Sequence, residues 1–279
     1  MKFRSILFVP ADRPERFEKA MNSAADALIL DLEDSVSAEK KAYARSAVRE
    51  FLATPHEKPV TVRVNSVDSS LIEDDLNALE GTAPDGVVLP KAEGSRDVKR
   101  LDELYPGSMP PVLPVATETP TAIFELGSFR EVSHHLLALT WGAEDLPAAI
   151  GASTARNADG SYTSPYQLAR DLSLFAAHAA NTPAIETVYP NFRDDMGLSA
   201  YAKRGRRDGF TGMMAIHPNQ CAIINEAFMP SEDEIQHAER ILKAAEQHAE
   251  IGAFQLDGQM IDAPHLKQAR RILELADRS

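Results

Sequence analysis

The stretch Ile29–Val36, ILDLEDSV, joins an apolar run to three carboxylates, Asp31, Glu33 and Asp34. A continuous run of large apolar residues, without polar alternation, is how a parallel strand covered on both faces is written. Acids where such a strand leaves the core either cap the following helix or line a site. Recurrence of charge at other strand ends separates the two readings.

Working outward, the same kind of run appears at Ser5–Pro10, Ala27–Leu32, Val60–Asn65, Gly86–Lys91, Val112–Thr117, Leu136–Gly142, Ala184–Tyr189 and Met213–His217. Between them lie stretches of helical period, such as RPERFEKAMNSA, EKKAYARSAVREFLA and SPYQLARDLSLFAAHAA, the last with an apolar stripe of Leu168, Leu172 and Phe175. Eight strand–helix units in about 220 residues predict an α/β protein with a (β/α)₈ barrel rather than an open doubly wound sheet. No GxGxxG or P-loop follows any strand, which argues against a nucleotide-binding fold.

Residues 1–220 are expected to form the barrel and 221–279 a helical extension and lid. Ser231 followed by Glu234 starts a helix with a capping box, and Ile235, Ala238, Ile241, Leu242 and Ala245 form its stripe. The next stretch, GAFQLDGQMIDAPHL, reads as a loop before a last helix from about Lys267. Its Phe254, Met260 and Ile261 are too apolar for a solvated loop and predict docking, with a neighbouring subunit as candidate.

The 279-residue chain is 44% hydrophobic with a net charge of −13, so it has ample core and no excess of basic charge. Binding to nucleic acid or an anionic membrane is not expected. One cysteine, Cys221, excludes an internal disulfide framework and points to a reducing, cytoplasmic compartment. The apolar run near the start stops at Pro10, too early for a secretory signal, and no window has the ~18 apolar residues of a membrane span.

Strand ends of a barrel converge on one mouth, where chemistry sits. The second ends in Glu33 and Asp34, the third holds Arg63, and the fourth ends in Lys91. Glu118 closes the fifth, Glu144 and Asp145 the sixth, and His217 the eighth. Glu118 and Asp145, from neighbouring strands, suit Mg²⁺, which takes one or two carboxylates and completes its octahedron with water and substrate oxygens. Otherwise Asp145 caps a helix and Glu118 is a solvated loop acid. Arg63, inside an apolar strand, requires an anion, either a structural partner or a substrate carboxylate. Lys91 has the placement of a Schiff-base lysine. His217, just before Pro218, reads as a hydrogen-bonded loop residue, and Cys221 as packing. Arg13 and Arg16 are candidate phosphate binders, Arg16 more simply a solvated surface residue.

RSILFVPADRPERFEKA, ADALILDLEDSV, VRVN, VVLPKAE, ETPTAI, WGAEDL, ETVYPNF and GFTGMMAIHPNQ, in order, resemble the citrate lyase β-subunit-like branch of the HpcH/HpaI aldolase family over the whole chain. The resemblance implies a (β/α)₈ barrel in a homotrimer or homohexamer. It further implies Mg²⁺ on Glu118 and Asp145, and a substrate carboxylate on Arg63. Glu33 and Asp34 would hold waters of the metal shell, and Arg13 would contact CoA. GAFQLDGQMIDAPHLKQA resembles the element of malyl-CoA and citramalyl-CoA lyases that closes over a neighbouring subunit's site, with Asp262 matching the catalytic acid. Ala11 stands where the family commonly has Gly, and Glu186 where Asp is frequent. The implied reaction is cleavage of a β-hydroxyacyl-CoA of the citramalyl-, malyl- or citryl-CoA type to a CoA ester and a 2-oxo acid. Alternatives are an aldolase acting on free hydroxy-oxo acids, a malyl-CoA-type thioesterase, and a carrier-dependent citrate lyase β subunit.

Overall fold

The computed structural model describes residues 3–247 and 252–276. The chain divides into two compact units, Met1–Asn225 and Glu226–Ser279. In the first, eight strands alternate with helices: β1 (Ser5–Pro10), β2 (Ala27–Asp31), β3 (Val60–Arg63), β4 (Gly86–Leu89), β5 (Val112–Pro114), β6 (Leu139–Thr140), β7 (Ala184–Glu186) and β8 (Gly212–Ala215). The helices are α1 (Phe17–Met21), α2 (Lys41–Leu52), α3 (Ile72–Leu79), α4 (Ser95–Leu104), α5 (Pro120–Glu125), α6 (Asp145–Ile150), α7 (Ser164–Ala179), α8 (Asp195–Asp208) and, with its last two residues beyond the unit's bound, α9 (Pro218–Ala227). All eight expected strands are present, each ending at or before the residue expected.

The sheet runs β5-β4-β3-β2-β1-β8-β7-β6, every pairing parallel. It closes through the bridges Val112–Leu136 and Val115–Thr140, with Ala116 N–H donating to Thr140 O at 2.9 Å. This is the (β/α)₈ barrel that the sequence predicts. Ile6, Ile29, Val88, Leu113, Ile185 and Met214 meet in its interior, each burial contributing roughly 1.5–3 kcal/mol over exposure. Thr61 and Thr140 also lie inside, and their hydroxyls donate to Leu28 O and Ile185 O, so neither is left unpaired. Outside, α2 buries Ala44, Ala47, Val48 and Leu52, the spacing of one helical face.

Helix α7 departs from expectation. Its stripe faces outward, with Leu168 and Phe175 exposed, while Tyr166, Ala169, Arg170, Ser173 and Ala177 face the sheet. Arg170 is buried against Glu186 of β7, so the inner face is the one that carries this ion pair together with Leu174, Ala176 and Ala177, rather than the three-residue stripe.

The second unit contains α10 (Glu232–Gln247), β9 (Ala253–Leu256), β10 (Gln259–Asp262) and α11 (Ala263–Ala276). The capping box is formed: Ser231 N–H donates to Glu234 Oε2 at 2.7 Å and Glu234 N–H to Ser231 Oγ at 3.2 Å. The stretch expected to be a loop is instead an antiparallel hairpin, and α11 starts at Ala263 rather than near Lys267. The reason is local: Asp257 and Gly258 both have positive φ, 50° and 82°, as a two-residue hairpin turn of the Asp-Gly type requires. Phe254 and Ile261 pack with Ile241, Leu242 and Leu273 of the same unit, whereas Met260 is exposed.

Candidate active site

Parallel register builds the first part of the site. Asp31 of β2 and Arg63 of β3 are direct register partners at the ends of their strands. Arg63 Nε and Nη2 donate to the two Asp31 oxygens at 2.6 and 2.7 Å, a bidentate pair, and the guanidinium lies 4.8 Å from the Phe8 ring centre. Asp31 also accepts from the backbone N–H groups of Glu33 and Ser35, which folds the acidic loop back over the strand end. Burial alone would raise the Asp31 carboxyl, but Arg63 outweighs it and the group is held below the ordinary range. Burial likewise opposes the Arg63 charge, and Asp31 more than restores it. The anion that Arg63 requires is thus Asp31. Two donors go to that pair, and others of the five on the guanidinium remain.

Lys41, at the start of α2, is buried and donates to Leu32 O at 2.5 Å, Glu33 O at 2.7 Å and Asn65 Oδ1 at 3.2 Å. Its ammonium fixes the main chain of the acidic loop and aims Glu33 into the mouth. Glu33 is buried, and burial raises its carboxyl. Its Oε2 lies 2.9 Å from Arg63 Nη1 without hydrogen-bond geometry, a Coulombic contact that leaves this oxygen without a donor.

Lys91 follows β4 and connects these groups. Its Nζ lies 2.5 Å from Glu33 Oε1, 3.7 Å from Asp34 Oδ2 and 4.0 Å from Asp145 Oδ1. Its backbone N–H donates to Glu118 Oε2 at 2.6 Å. Burial would lower the ammonium, but Glu33 and the other carboxylates push it up to about 12. An amine so firmly protonated is a poor nucleophile, which argues against a Schiff base.

Glu118 is buried, not the solvated loop acid of the alternative reading, and burial pushes its carboxyl up to about 8. Asp145 opens α6 and is half-exposed. The seam between them is stitched by Thr117, whose Oγ1 donates to Gly142 O at 3.0 Å and accepts from Gly142 N–H at 3.1 Å. Among the described residues no three or more His, Cys, Asp or Glu side chains form a cluster able to hold a metal. A two-carboxylate seat remains, and Mg²⁺ needs no more from a protein. The residues fit such an ion: Glu118 is a buried carboxylate whose charged form burial disfavours, and Asp145 stands beside it at the start of α6.

Behind this seam lies a network that the sequence reading did not find. Glu186 Oε1 accepts from Trp141 Nε1 at 2.5 Å, Tyr201 OH at 3.0 Å and Thr187 N–H at 3.0 Å, while Oε2 accepts from Arg170 Nε at 2.8 Å. The signal was present as Glu186 at a strand end and Arg170 inside an amphipathic helix.

A cavity of about 520 Å³ adjoins the end of β1, lined by Phe8, Pro10, Lys19, Phe192, Ile216 and Asn219 among others. Arg16 and Lys19 are the basic residues of its wall. Arg13 is half-exposed, 3.7 Å from Asp12. His217 also lines the cavity, its ring stacked on Phe192 at 5.2 Å, and its Nδ1 accepts from Asn219 N–H. Cys221 is buried and burial pushes its thiol up to about 11, consistent with packing. In the second unit Asp262 Oδ1 lies 2.6 Å from His265 Nδ1 at the start of α11.

Comparison with known proteins bears out the resemblance read from the motifs. The family model for HpcH/HpaI aldolase/citrate lyase matches residues 4–218. A citrate lyase subunit beta-like protein of Mycobacterium tuberculosis is 37% identical over 278 residues, covering 97% of this chain and 94% of that protein. Human mitochondrial citramalyl-CoA lyase is 34% identical, covering 98% and 85%. The (3S)-malyl-CoA thioesterase of Cereibacter sphaeroides is 34% identical, covering 99% and 95%. The crystal structure of CitE from M. tuberculosis with magnesium, acetoacetate and coenzyme A superposes with a TM-score of 0.88 at 37% identity, covering 99% of this chain and 98% of that one.

Proposed function

The chain belongs to the HpcH/HpaI aldolase/citrate lyase family, and from that membership and the barrel mouth we propose that it is a Mg²⁺-dependent carbon–carbon lyase acting on a β-hydroxyacyl-CoA. The observation that carries this reading is Glu118: a buried carboxylate raised to about 8, beside Asp145 and opposite a guanidinium with donors to spare. Glu118 and Asp145 would hold the ion. When bound, Mg²⁺ supplies Lewis-acid stabilisation of the negative charge that develops on the substrate's hydroxyl oxygen.

Arg63, fixed in direction by Asp31, directs its free donors at the carboxylate of the 2-oxo-acid half. Glu33 and Asp34 orient water at the mouth. As the carbon–carbon bond breaks, its electron pair passes to the thioester α-carbon, the hydroxyl proton passes to a water held by Glu33 and Asp34, and a 2-oxo acid forms. Asp262, protonated at the start, gives its proton to that α-carbon, releasing the CoA ester, and regains one from solvent; no water is consumed. The run of the reaction in reverse makes Asp262 the base. Support for a CoA-sized ligand comes from the cavity, where Arg16 and Lys19 offer charge to phosphates and the Phe192–His217 stack offers a flat apolar face. On this reading the oligomer is a homotrimer or homohexamer.

Citramalyl-CoA, malyl-CoA and citryl-CoA differ by groups that pocket shape alone discriminates. Incubation with each, with and without EDTA, tests the proposal: an EDTA-sensitive 2-oxo acid product is expected, and none with any thioester overturns it. A second outcome, thioester hydrolysis, is favoured by the similarity to the malyl-CoA thioesterase. Free CoA with an intact hydroxy acid would identify it.

A further inference from the structure

Lys91 adopts a left-handed backbone, φ 53°, a strained conformation for a residue with a β-carbon. Strain of that kind persists only where the surroundings enforce it. Here one residue has two tasks at the mouth. Its N–H holds Glu118, while its ammonium stands where Glu33, Asp34 and Asp145 approach one another. Carboxylates from two different strand ends therefore converge on a cation, and the chain supplies that cation itself.

A divalent ion given all of these oxygens would have a crowded, strongly negative site. Such a site suits Ca²⁺, which takes six to eight oxygens at flexible geometry, better than Mg²⁺, which keeps its waters and uses one or two carboxylates. We propose that Lys91 is a resident cation that keeps Glu33 and Asp34 out of the metal's ligand set and thereby makes the site selective for Mg²⁺ over Ca²⁺. The inference rests on the reading of Glu118 and Asp145 as the metal seat. The geometry of Glu33 agrees with it, since this buried carboxylate is held between Lys91 and Arg63 rather than free to turn toward an ion. Lys91 acts through other residues and is a positioning residue, not a catalytic one.

The sign of the effect separates this role from a merely structural one. Loss of a supporting contact loosens the site and weakens every metal, whereas loss of a competing cation strengthens binding, most for the ion that uses more oxygens. The experiment is titration of the metal-free full-length protein with Mg²⁺, Ca²⁺ and Mn²⁺ alone, by calorimetry and by Mn²⁺ paramagnetic resonance with competition. Lys91→Met keeps the stem and removes the charge. Lys91→Gly removes the charge and suits the positive φ, so it serves if the first variant does not fold. Tenfold or greater tightening for Ca²⁺, with a smaller gain for Mg²⁺, is expected. Unchanged or weaker Ca²⁺ binding in a folded variant overturns the inference. Wild-type protein that binds none of the three ions, or binds them equally after Asp145→Asn, overturns the metal reading instead.

Discussion

Gly142 presents a bare α-carbon to Glu118: a β-carbon at this position would overlap Glu118 Cγ and stand 2.9 Å from Oε1. The close approach is what lets β6 press the Glu118 carboxyl into place. Gly142→Ala is therefore expected to displace Glu118 and weaken Mn²⁺ binding at least tenfold while the barrel still forms. Native affinity in the folded variant would show that the approach is incidental.

Glu118→Gln and Asp145→Asn are each expected to abolish EDTA-sensitive turnover, because both remove a proposed metal ligand without emptying space in the core. Circular dichroism should report a folded barrel in both. Full turnover in either, or in excess EDTA, would remove that residue from the metal seat.

The Glu118 carboxyl, about 8 when folded against an ordinary 4.5, has a raised value. Its contribution to stability is thus complete below pH 4.5 and disappears as pH rises toward 8, by an amount on the order of a few kcal/mol. Metal-free protein should lose Tm across that window, and Glu118→Gln should lose less. Near neutral pH most of this carboxyl is protonated, so metal uptake should expel close to one proton. Calorimetry in buffers of different ionisation enthalpy reads that number, and zero protons released would contradict the assignment.

Arg63→Lys keeps one charge but cannot reproduce the bidentate pair with Asp31. Loss of a charge-assisted bond to a buried carboxylate should cost about 1.5–3 kcal/mol, seen as a lower Tm and a lower kcat/KM together. Wild-type values in both would show that a single ammonium satisfies Asp31.

Asp262→Asn should retain metal binding and slow cleavage by ~10² or more, because the amide keeps the shape and loses the proton. Mixing it with Arg63→Ala tests sharing between subunits. Recovered activity means one intact barrel works with another chain's intact Asp262. No recovery after confirmed subunit exchange means that Asp262 serves its own chain or none.

The barrel was legible because eight buried strands announce themselves as apolar runs, and the mouth because charge at the end of such a run has no packing explanation. Arg63 was legible as a demand for an anion, but not that Asp31 meets it, since register between strands is not written in either strand alone. For Lys91 the sequence offers a Schiff base only as a minority mechanism, and it does not show the ion pairs, because the carboxylate neighbours come from β2 and β6, far apart in sequence. Helix α7 differs for the opposite reason: its local periodicity is clear, but the face that carries Arg170 is the one that meets Glu186 of β7, a partner that the helix alone does not reveal. The hairpin at Asp257–Gly258 is legible locally, through a turn dipeptide of the Asp-Gly type between two short runs.

Trp141 is the chain's one tryptophan, fully buried, with its indole N–H on Glu186 and its ring edge-on to Tyr162 at 5.1 Å. It stands one residue before Gly142 and four before Asp145. The protein therefore contains a single indole, fixed to the strand end that carries Asp145, half of the proposed metal seat. Excited near 295 nm, it should emit from a dry, rigid environment, and any ligand that shifts the turn from Gly142 to Asp145 alters its contact with the Glu186 carboxylate. Occupancy of the mouth becomes a colour change, readable in unlabelled protein and in real time.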